Sequence, residues 1–68
     1  MSTRVFRFTA REKLEEVRRE LAMRRRVYPR KVEEGKLKPS KAEAQVAILE
    51  AIAADYEAII NQENPRLL

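Results

Sequence analysis

Seven cations, Arg18, Arg19, Arg24, Arg25, Arg26, Arg30 and Lys31, crowd into residues 18–31. The chemistry such a cluster can do is phosphate binding, in which lysine and arginine displace the counterions of a nucleic acid. On a helix, however, successive side chains point about 100° apart. The run Arg24–Arg26 therefore fans round the helix and forms no single blade. Glu15, Glu16, Glu20, Glu33 and Glu34 lie among the arginines and would repel the same phosphates. The competing role is electrostatic: cations near a helix C-terminus complement its dipole, and they can pair with carboxylates on a neighbouring helix. The second role is the expectation, with Arg24–Arg26 a solvated, carboxylate-paired helix end. If nucleic acid is bound, Arg7, Arg24, Arg25, Arg26 and Arg30 are the candidate contacts.

The carboxylates available for such pairing stand out by their spacing. Glu43, Glu50 and Glu57 repeat every seven residues, which aligns them on one flank of a helix. Neighbours in that row are about 10 Å apart along the axis, too far to share one metal ion. The chain has no histidine and no cysteine, so the common nucleophile–base pairs are missing. It also has a single glycine, Gly35, and hence no glycine-rich phosphate loop. No enzymatic activity, metal or cofactor is expected.

Length and charge narrow the classes further. A chain of 68 residues makes one small domain, which buries only about 60% of its unfolded surface and is marginal alone. Without disulfides or a zinc site, oligomerisation is the economical staple. The net charge of +4 comes from interspersed signs, fifteen Lys and Arg against eleven Asp and Glu. That pattern suits a solvated helical surface as well as a phosphate partner. No apolar run approaches the roughly 20 residues of a transmembrane helix, and the N-terminus lacks a signal-like apolar stretch. A cytoplasmic location is the expectation.

Two helices must position these groups. Residues 3–8, TRVFRF, are β-branched and aromatic and read as a short extended arm over 1–9. Thr9 and Glu12 then fit a capping box, starting the first helix near Ala10. Ala10, Leu14, Val17, Leu21, Tyr28 and Val32 share one face, with Arg25 in the middle of that stripe. A charge there must find a carboxylate, on the second helix or on another subunit. Tyr28 reads as a packed aromatic with a wet hydroxyl. Pro29 removes a helical donor and crowds the Arg25 carbonyl. The expectation is a helix over 10–34, kinked near Pro29, with a stop at Tyr28 as the alternative. Gly35 is placed as the C′ residue.

The turn spans 35–40. Ser40 and Glu43 fit a second capping box, preceded by Pro39, so the second helix runs over 41–62 with a tail at 63–68. A short turn makes the two helices antiparallel neighbours. The second helix carries a broad apolar stripe, Val46, Ile48, Leu49, Ile52, Ala53, Tyr56, Ile59 and Ile60. Its other side holds Ala44, Ala47, Ala51, Ala54 and Ala58. One antiparallel partner cannot cover both. The fold expected is therefore all-α, an antiparallel helical hairpin dimerising into a four-helix bundle. Val46, Leu49, Ile52, Tyr56, Ile59 and Ile60 are assigned to the dimer interface, since twofold dimers are the commonest oligomers.

Residues 18–57, RRELAMRRRVYPRKVEEGKLKPSKAEAQVAILEAIAADYE, resemble small uncharacterised phage and prophage proteins. The shared marks are an Arg-rich helix ending in VYP, a Gly-Lys-Leu turn and an Ala-rich second helix. The resemblance implies a phage-derived helical protein and brings no functional residues with it. The N-terminus also resembles ribbon–helix–helix repressors, whose outward strand residues enter the major groove. Thr3, Val5 and Arg7 would take that place here. The first helix is about twice as long as that fold uses, Pro29 interrupts it, and GKLKPS departs from its usual turn.

Taken together, these features describe a non-enzymatic helical interaction or adaptor protein, acting as a homodimer and open to a further protein partner. A DNA- or RNA-binding protein and a small structural component of a phage particle are the alternatives.

Overall fold

The structure, a computed structural model, describes residues 7–63 of the chain. The extended arm expected at 1–9 falls mostly outside that range, as does the tail beyond Glu63. Two helices make up the fold, α1 (Ala10–Glu33) and α2 (Pro39–Glu63), and no strand occurs among the described residues.

The first helix begins where local chemistry dictates. Thr9 Oγ1 accepts from the Glu12 amide at 3.0 Å, and Glu12 Oε1 accepts from the Thr9 amide at 2.8 Å. Each side chain thus satisfies a donor that the helix cannot. α1 then runs unbroken through Pro29 to Glu33, so it does not stop at Tyr28. Proline keeps a helix-compatible φ, and the ladder resumes beyond it. The end is a Schellman motif. The Lys36 amide donates to the Lys31 carbonyl at 2.9 Å, and the Gly35 amide to Val32 at 3.0 Å. Gly35 provides the left-handed backbone that this closure needs, at φ +75°.

The second helix starts earlier than its sequence suggests. Pro39 is its first residue, and the Lys38 carbonyl accepts from the amides of Lys41 (3.1 Å) and Ala42 (3.0 Å). Lys38 is therefore the cap, and Ser40 lies inside the first turn, where a Ser40–Glu43 capping box cannot form. The reason is Pro39 itself, whose fixed φ and missing N–H suit the first helical position.

The helices pack against each other and run antiparallel: Arg18 meets Glu57 and Arg25 meets Glu50, so contacts climb one helix as they descend the other. The core of this hairpin is thin. Leu14 and Leu21, one heptad apart, are each 5% exposed, and Ala42 and Ala53 complete the buried set. Alanines at the contact allow the axes to approach closely. Among the described residues no side chain falls below 2% exposure.

Five of the six residues assigned to a dimer interface take part in this hairpin. Val46, Leu49, Ile52, Tyr56 and Ile60 are half-buried, on the side of α2 that also carries Ala42 and Ala53. Ile59 is exposed. The middle of the broad stripe thus faces α1, and its edge does not. Ile48, on that edge, is 59% exposed.

Candidate functional site

The arginine cluster resolves into two networks and a remainder. On one flank, Arg18 pairs with Glu57 at 3.0 Å, and Arg25 pairs with Glu50. Each step of seven up α1 matches a step of seven down α2. The next rung of this ladder would set Val32 against Glu43, so the third glutamate of the row has no arginine opposite it. Both formed pairs are about half exposed, and surface pairs of this kind contribute about 0.2–1 kcal/mol each. Their main effect is on register, since a slip of one residue would break both.

The other flank carries a tighter arrangement. Arg24 donates to Glu20 at 2.8 Å, to the Tyr28 hydroxyl at 2.8 Å and to Gln45 Oε1 at 3.2 Å. The Tyr28 hydroxyl in turn donates to Gln45 Oε1. Tyr28 therefore packs as an aromatic whose hydroxyl is answered by protein. The hydrogen bond that Arg24 donates to Glu20 is the main reason that its guanidinium is held above its ordinary pKa. Arg24 also sits 5.8 Å from the Tyr28 ring centroid, within reach of its negative face.

Of the five candidate nucleic-acid contacts, then, Arg24 and Arg25 already hold carboxylates. Arg26 and Arg30 are exposed, and neither has an ion-pair partner among the described residues. Arg7 is exposed beside Phe8, 5.7 Å from its ring centroid. It precedes the first residue of α1, whereas Arg25 lies about 22 Å further along that helix. The fold does not bring these groups to one surface. Arg19 pairs locally with Glu16 at 2.6 Å, which further mixes the signs on the outer face of α1.

An open trough of about 980 Å³ lies at the turn end of the hairpin. Val32, Pro29, Val46 and Ala47 give it an apolar lining, and Glu33 and Glu43 are acidic groups on its border. The paired Arg25 and Glu50 also line it.

The back of α2 is the remaining feature. Lys41, Ala44, Ile48, Ala51, Asp55 and Ala58 recur at steps of three and four residues, so they form one row. All six are exposed. The sequence shows the alanine side and the isoleucines separately. That Ile48 joins the alanines as outward surface depends on where α1 docks, which periodicity alone does not give. Gln45, the shared acceptor of Arg24 and Tyr28, was likewise invisible as a functional group.

Among the described residues, no helix is long and apolar enough to cross a membrane. No group of three or more His, Cys, Asp or Glu there could hold a metal ion. Comparison with protein-family models, curated proteins and solved structures yields no match to this chain.

Proposed function

We propose that this chain is a non-catalytic helical-hairpin module that works as a homodimer and serves as an interaction or adaptor protein. The observation that carries the reading is surface left uncovered. On α2, Ile48 and Ile59 are 59% and 41% exposed, beside the exposed alanines Ala44, Ala51 and Ala58. A core of Leu14, Leu21, Ala42 and Ala53, with no side chain fully buried among the described residues, is too small to hold two helices against their conformational entropy. A second copy supplies the missing burial.

The arginines and glutamates support the non-catalytic part. Arg18, Arg24 and Arg25 are engaged by Glu57, Glu20 and Glu50, an arrangement that fixes helix register and occupies these charges with one another. The test is the concentration dependence of unfolding. If folding and assembly are coupled, the thermal midpoint followed by circular dichroism rises as protein concentration is raised. A midpoint independent of concentration across the micromolar range would contradict the proposal.

A further inference from the structure

We infer that the second copy docks antiparallel on the back of α2, about a twofold axis beside Ile48, with Lys41 of each copy against Asp55 of the other. The inference rests on the dimer reading and specifies its surface. In the exposed row, Lys41 and Asp55 are the only charged residues, and the others are alanines and Ile48. Neither has an ion-pair partner among the described residues. Ile48, the most exposed large apolar residue of the described chain at 59%, lies midway between them. Each charge is seven residues away, about 10 Å along the helix.

That placement selects an orientation. An isologous contact applies each pairing twice. Parallel α2 helices would face Lys41 with Lys41 and Asp55 with Asp55. An antiparallel pair centred beside Ile48 faces Lys41 with Asp55 at both ends, and it buries the two Ile48 side chains at the centre among alanines small enough for close approach. The half-buried residues Val46, Leu49, Ile52, Tyr56 and Ile60 stay with α1. A trimmed interface of this kind also explains why the hairpin's outward helix face is alanine-rich while the outer face of α1 is charged.

The experiment measures dimer dissociation constants by sedimentation equilibrium for the full chain and five variants. Ile48→Glu places two carboxylates at the centre and should weaken the dimer by about 100-fold or more. Lys41→Glu and Asp55→Lys should each weaken it by about tenfold, since each creates two like-charge contacts. The double variant Lys41→Glu/Asp55→Lys should return to within about threefold of the unaltered chain, which a general loss of stability could not produce. Met23→Glu, on the outer face of α1, should leave the constant unchanged. A dimer that tolerates Ile48→Glu, or charge variants whose effects add in place of cancelling, or a Met23→Glu variant that dissociates, would overturn the proposed face while the dimer stands. A folded monomer for the unaltered chain would overturn both.

Discussion

Arg25 on α1 donates to Glu50 on α2, one heptad along from the pairing of Arg18 with Glu57. The two contacts act as a ruler for the hairpin. Replacing Glu50 with Ala should lower stability by no more than about 1 kcal/mol, because the pair is half exposed and screened by water. A Arg25→Ala/Glu50→Ala cycle followed by urea unfolding should give a small coupling that shrinks as salt rises. A coupling of several kcal/mol would show that the pair is buried in the assembly.

Pro29→Ala should stabilise the protein by about 1–2 kcal/mol. α1 continues through Pro29, so alanine restores a donor for the Arg25 carbonyl and relieves the ring's crowding. Part of that gain is offset because proline restricts the unfolded chain. Oligomeric mass should not change. A destabilised variant, or one of altered mass, would mean that the proline shapes the hairpin.

Gly35→Ala should cost about 1 kcal/mol. A Cβ there meets no atom within 4 Å, so the whole cost comes from holding φ at +75°. Gly35→Asn should be milder, because asparagine tolerates that region better. Chemical denaturation of both variants checks the order.

Much of this hairpin was legible from residues whose effect is local. Thr9 and Glu12 mark the start of α1 by mutual hydrogen bonds, and Gly35 marks its end by conformation. Ser40 misled because it resembles a cap as closely as Thr9 does. Pro39, next to it, decides the start by occupying the first helical position. The surface was harder to read, since a broad apolar stripe does not say which part α1 will cover. Leu49 and Ile52 turned inward, and Ile48, adjacent in sequence, turned out.

The protein should bind duplex DNA negligibly at about 0.15 M salt and without sequence preference at lower salt. Arg24 and Arg25 are held by Glu20 and Glu50, and Arg7 lies at the far end of α1. Fluorescence titration against random and genomic fragments tests this. Selective binding at physiological salt, lost on replacing Arg26 and Arg30 with Ala, would establish a nucleic-acid surface.

The central claim is that two hairpins complete one another. Sedimentation equilibrium of the unaltered chain at micromolar concentration, with circular dichroism on the same samples, measures it most directly. The account predicts a helical species of twice the 8.0 kDa chain mass, with helix lost as dilution dissociates it. A fully helical monomer at 8.0 kDa would contradict it.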